Sequence, residues 1–140
     1  MKTFSTSREI PALPEHIFAT FTNPERLAKW WGPDGFTNTF SRFQFIAGGK
    51  WSFIMHGPDG VNYVNESEFA EIIPNEKVVI RHISEPRFTL TISLTNSAKG
   101  CLVLWNQEFD NDEVADNVAH IVIPSNEQNL DRLTEEVCGK

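Results

Sequence analysis

Apolar and polar residues alternate without a break over residues 88–95: Phe88, Leu90, Ile92 and Leu94 take one face, and Thr89, Thr91, Ser93 and Thr95 the other. A period of two predicts a strand with one face buried and one wet. Trp51, Phe53 and Met55 alternate in the same way with Lys50, Ser52, Ile54 and His56. Further strands are predicted over 4–10, 37–45, 61–73, 77–84 and 101–109. Within 37–45 the apolar phase changes between Phe40 and Phe43, which predicts a bulge or an edge bend. Turn residues separate the runs: Gly48-Gly49, the Gly57-Pro58-Asp59-Gly60 connection, Pro74-Asn75 and residues 96–100. No run is long and apolar on both faces, so the predicted sheet is antiparallel.

Three stretches carry a helical period instead. Pro14 opens a short helix with Glu15 in its first turn and Ile17, Phe18 and Phe21 on its apolar face. Asn23 is a good N-cap and Pro24 suits the first helical position. The helix predicted over 24–31 has Leu27, Trp30 and Trp31 on one face and ends at Gly32-Pro33. Both helices fall below the ~12–15 residues at which isolated helices become marginal, so packing must hold them. In the C-terminal part, Val114, Val118 and Ile121 lead to Pro124. Ser125 with Gln128 then forms a capping-box pattern, and Leu130, Leu133 and Val137 define a last apolar face. Pro124 either kinks one long helix or separates two, and a separated final helix is favoured.

The layout is strand, two short helices, six strands and a C-terminal helix in one domain, 1–140. This is an α+β arrangement in which a long antiparallel sheet curls around the final helix. The short helices close one end, and space is left between helix and sheet.

Composition narrows the function. The 140 residues hold eleven Phe and four Trp against one Tyr, a large rigid apolar mass with few polar tips. The formal charge of -7 argues against nucleic acid and against anionic membrane surfaces. The run Glu108, Asp110, Asp112, Glu113 and Asp116 reads as a solvated loop and helix start. Cys101 and Cys138 form no metal-binding spacing and point to a reducing cytoplasm. The N-terminus has no long apolar run, and no segment approaches the roughly 20 apolar residues of a membrane span. No phosphate or dinucleotide fingerprint and no nucleophile motif is present, so no metal, cofactor or catalytic residue is expected. His16, His56, His82 and His120 are the available general bases. Structural or solvent-facing roles are the default for all four, and His120, before the last apolar face, is the one best placed for a cavity.

The chain resembles the SRPBCC superfamily (START and birch-pollen-allergen fold), in the activator of Hsp-ninety ATPase homologue-like branch. The matching residues are R-E-I-P-A-L-P-E-H-I-F at 8–18, N-P-E-R-L-A-K-W-W-G-P at 23–33 and G-G-K-W-S-F-I-M-H-G-P-D-G at 48–60. The match continues as E-F-A-E-I-I-P-N-E-K-V-V at 68–79 and L-D-R-L at 130–133. The resemblance covers roughly residues 4–137. It implies the helix-grip fold, a curved antiparallel sheet wrapped around a long C-terminal helix, with a cavity that in this superfamily commonly holds lipids, sterols, polyketides or other apolar molecules. The branch name implies a chaperone ATPase as partner, although the separate N-terminal domain of the chaperone activator has no counterpart here. Two departures affect the cavity or its rim. The acidic residue and Arg-Pro that often precede the Gly-Gly are replaced by Phe43-Gln44-Phe45-Ile46-Ala47, and a Gly-Trp pair near the final helix is replaced by Ser125-Asn126.

On this fold Trp30, Trp31, Phe36, Trp51, Phe53, Met55, Tyr63, Phe69, Trp105 and His120 are the expected ligand-binding residues. One of Trp30 and Trp31 would be the anchor and the other would sit nearer the pocket mouth. The leading expectation is non-enzymatic binding of a small apolar or aromatic molecule, with the short helices and the 32–36 loop as the gate. A cyclase, dehydratase or hydrolase using the same cavity, and a module stimulating a chaperone ATPase, are the alternatives. A homodimer stays open.

Overall fold

The computed structural model describes residues 2–139. Its elements are β1 (Lys2–Ile10), α1 (Pro14–Thr22), α2 (Pro24–Trp30), β2 (Thr37–Phe43), β3 (Lys50–His56), β4 (Asn62–Ile73), β5 (Lys77–His82), β6 (Phe88–Ser97), β7 (Gly100–Phe109) and α3 (Asp112–Cys138). The strands form one seven-stranded sheet in the order β1-β7-β6-β5-β4-β3-β2, and every neighbouring pair is antiparallel. The sheet is open and curved, with α3 against its concave face and α1 and α2 at one end: an α+β helix-grip fold. Among the described residues no helix is long and apolar enough to cross a membrane.

The alternation in β6 has its expected consequence: Leu90, Ile92 and Leu94 are buried. The phase change in β2 is a bulge, with the register to β3 shifting between Phe40 and Arg42. A second shift, between Phe69 and Glu71 of β4, adds to the curvature. The core is dominated by aromatic rings, with Trp30, Trp51, Trp105, Phe21, Phe69 and Phe109 fully buried. Such rings bury large areas and meet edge to face, as Phe21 and Trp30 do at 5.0 Å.

Two expectations about helices are corrected. Residues 112–138 form a single helix of 27 residues with Pro124 inside it, not a separated final helix. Proline removes one internal hydrogen bond, here the one that would reach the His120 carbonyl. Side chains on both sides of the break hold the helix to β1: Lys2 pairs with Asp116, and Arg8 pairs with Glu127 and with Asp131. Ser125 is thus interior, and Asn111 caps the helix by accepting the Val114 N–H at 3.0 Å. The second correction concerns α2. Asn23 caps it through the Glu25 and Arg26 N–H groups, but helical geometry stops at Trp30. Trp31 is extended, with φ -71° and ψ 131°, so the two indoles leave the backbone in different directions.

Helix α3 docks mainly on β1, α1 and α2 and makes little contact with the central strands. The bulk of the aromatic rings keeps it off the sheet, and a cavity lies in the gap.

Candidate functional site

The concave face of β4 carries Asn65, Ser67 and Phe69 in alternation. Ser67 stands opposite Trp51 on β3 and opposite His82 on β5, while Asn65 stands opposite Phe53. Three polar side chains therefore meet on adjoining inward positions of two strands. Farther across the sheet Gln107 of β7 also faces inward and is buried, like Ser67 and His82.

These groups and a set of aromatic and aliphatic side chains enclose a cavity of about 220 Å³. Trp31, Phe53, Met55, Ile80, Phe88, Leu90 and Trp105 form its apolar wall. Helix α3 contributes Ile121, Val122, Ser125, Asn126 and Asn129, and Gly32, Pro33 and Pro86 complete the rim. None of the lining residues is Asp, Glu, Lys or Arg. The Ser125-Asn126 pair, where the resemblance leads one to expect Gly-Trp, puts two small polar side chains on the wall.

His82 is held on three sides. Its ring stacks on Phe88 at 4.5 Å, Nδ1 lies 2.8 Å from the Pro86 carbonyl oxygen, and Nε2 lies 2.7 Å from Asn65 Oδ1. Burial pulls its pKa below the ordinary histidine value against the opposing hydrogen bonds to Pro86 and Ser84, so the ring is neutral at pH 7. A neutral ring with Nδ1 donating to Pro86 must accept at Nε2. As it stands, Asn65 donates its NH₂ to the Tyr63 carbonyl at 2.9 Å and turns Oδ1 to the ring, where an imidazolium would donate; a neutral ring that accepts at Nε2 requires the amide to turn and give up the Tyr63 bond. The proton on His82 and the orientation of Asn65 are therefore linked.

The mouth is built by the 31–36 loop, which three residues of α3 fasten. Asn129 accepts the Gly32 N–H at 3.2 Å and donates to the Trp30 carbonyl at 2.8 Å. Gln128 accepts the Asp34 N–H at 3.1 Å. Arg132 donates to five carbonyls, those of Lys29, Trp31, Gly32, Pro33 and Phe36, at 2.6–3.2 Å. Gly32 is favoured where it stands by its φ of +95°, a left-handed conformation that side chains rarely adopt.

The structure separates the ten expected ligand residues. Trp31, Phe53, Met55 and Trp105 lie on the cavity wall. Trp30, Trp51 and Phe69 are fully buried in the core and are not among the lining residues. Phe36 and Tyr63 pair with each other at 6.0 Å, off the cavity, and Tyr63 is half exposed. His120 is exposed and off the wall, because the helical period turns it away from Ile121 and Val122. Two buried indole N–H groups, of Trp51 and Trp105, have no hydrogen-bond partner.

The model of the family described as activator of Hsp90 ATPase homolog 1-like protein matches residues 11–137. The chain belongs to this family. Solved structures agree on the fold of this AHSA1-like chain. A protein of Arthrobacter aurescens, 20% identical, superposes with a TM-score of 0.89 over 99% of this chain and 87% of its own. A protein of Chromobacterium violaceum, 22% identical, gives 0.83 over 96% of each chain. The AHSA1 protein of Silicibacter pomeroyi, 18% identical, gives 0.78 over 98% of each. No curated protein matches the sequence.

Within this AHSA1-like frame, sequence reasoning missed Asn65, Ser67 and Gln107 and set His82 aside in favour of His120. The signal was present: Tyr63, Asn65, Ser67 and Phe69 share one parity, as do Val78, Ile80 and His82. Extending the period of two through polar residues would have put all of them on the inner face.

Proposed function

We propose that this chain binds a small apolar or aromatic molecule in the cavity between the sheet and α3. The observation that carries this reading is the cavity itself, about 220 Å³ walled by aromatic rings with a few neutral polar groups, the usual make-up of a small-molecule site. A protein cavity of about 150 Å³ accepts benzene, so this one suits a molecule of one or two rings rather than a sterol. Burial of ligand surface supplies the driving force, roughly 25 cal/mol per Å² before the costs of ordering. Ile121 on α3, half exposed, and the 31–36 loop border the entrance. Among the described residues His82 is the one titratable group on the wall. Its ring nitrogens face a carbonyl and an amide rather than a carboxylate, which supports binding over general acid–base chemistry.

Thermal denaturation with a panel of one- and two-ring aromatics, paired with NMR titration, tests the proposal. A bound ligand at a hundredfold excess over its Kd stabilises the fold by about 2.7 kcal/mol, a rise in Tm of roughly 5–10 °C for a chain of this size. Signals of Trp105 and His82 should shift together with it. A panel that moves neither the Tm nor those signals would overturn the reading.

A further inference from the structure

We propose that the occupant is an uncharged aromatic molecule of one or two rings with a hydroxyl or carbonyl group, its polar atom held at Ser67, beside the bonded Asn65–His82 pair. This rests on the binding reading above and adds the chemistry of the ligand.

Charge is the first selector. Among the described residues no ionisable side chain but His82 reaches the wall, and burial favours the neutral form of that ring. The cation nearest the mouth, Arg132, is engaged with five backbone carbonyls. Arg81, adjacent to His82 in β5, points to the opposite face and pairs with Asp110. A carboxylate ligand would therefore leave water without meeting a cation, and an ammonium without meeting an anion, and burial of an unpaired charge is strongly unfavourable.

Polarity at one end is the second selector. A wholly apolar guest would cover the buried, inward-facing Ser67 hydroxyl beside the bonded Asn65–His82 pair, and a buried polar group costs free energy unless it is partnered. Asn65 and His82 are bonded to each other at 2.7 Å and Asn65 Nδ2 donates to the Tyr63 carbonyl, so the group beside them that a ligand can reach is the Ser67 hydroxyl, which both donates and accepts. It can thus meet a hydroxyl or a carbonyl.

Four probes on one bicyclic frame test the inference with the full-length chain at pH 7.5: 2-naphthol, naphthalene, 2-naphthoate and 2-naphthylmethylammonium, with affinities from calorimetry or NMR titration. The expected order places 2-naphthol a few-fold to about tenfold ahead of naphthalene, the worth of a made hydrogen bond, and both ahead of the two ions. In Ser67→Ala the ratio of 2-naphthol to naphthalene affinity falls by up to about tenfold, with circular dichroism confirming the fold. The wild-type series alone keeps the inference falsifiable should the variant not fold. Naphthoate or the ammonium binding as tightly as naphthol overturns the neutral-ligand assignment, and the latter would point to a cation held by the aromatic walls. Naphthalene binding as tightly as naphthol overturns the polar end while leaving the cavity a binding site. No binding by any of the four overturns both this inference and the reading beneath it.

Discussion

His82 is where the stability of the fold and the proposed ligand site meet. In the unfolded chain its ring takes a proton near pH 6.5, but in the folded protein burial lowers that pKa. Between the two values the unfolded state binds more protons, so stability falls as pH falls through that window and levels off above it. The expected outcome is a wild-type protein that loses stability between about pH 6.5 and the lower folded pKa. In His82→Gln that part of the slope is gone, while the carboxylate-driven losses at lower pH, such as that of the Arg81-bound Asp110, persist in both. Urea denaturation across pH 5–8 checks it, and equal slopes in the two proteins would contradict it. The residue was visible in the sequence as a histidine on a strand. Its importance was not, because it depends on Asn65, Phe88 and Pro86, which reach it only through strand pairing and the turn after β5.

At the scale of elements, the double tryptophan and α3 form one unit. α2 is two turns long, and its last carbonyls, with those of the following loop, would lie open at the cavity mouth without a donor. Arg132 supplies that donor for five of them, and Asn129 and Gln128 fasten the loop beside it. Arg132→Met keeps much of the aliphatic stem and removes the donors. It is expected to cost about 2–3 kcal/mol and to make the 31–36 loop a preferred site of limited proteolysis. Unchanged stability with an uncut loop would show that water serves those carbonyls equally well. The caps and the Gly32-Pro33 stop of α2 were legible because they are local. The Arg132 clamp was not, since about a hundred residues separate its donors from their acceptors.

For the molecule as a whole, the cavity is the volume left when a curved sheet and a long helix are held apart by side chains too large to meet flush. Helix α3 packs against β1 and α2 against β2 at the two ends of the sheet, so the gap between α3 and the central strands is where the fold stays open. Leu90 lies on the cavity wall and is almost fully buried. Leu90→Phe should fill part of the space, raise stability by about 1 kcal/mol and abolish binding of the bicyclic probes. A loss of stability would show instead that the wall is too rigid to accept the larger ring. By itself the sequence determined the strands, the short helices, their caps and turns, the antiparallel class and, through its motifs, the family. Periodicity and capping are properties of neighbouring residues, and a resemblance spread over most of the chain survives a few local departures. Only the tertiary structure decided that Trp31 lines the cavity while Trp30 anchors the core, that α3 runs unbroken through Pro124, that His120 faces solvent, and that Asn65, Ser67 and His82 share one wall. Each of those is settled by which distant segments touch, and that follows from the packing of the whole chain rather than from any stretch of it.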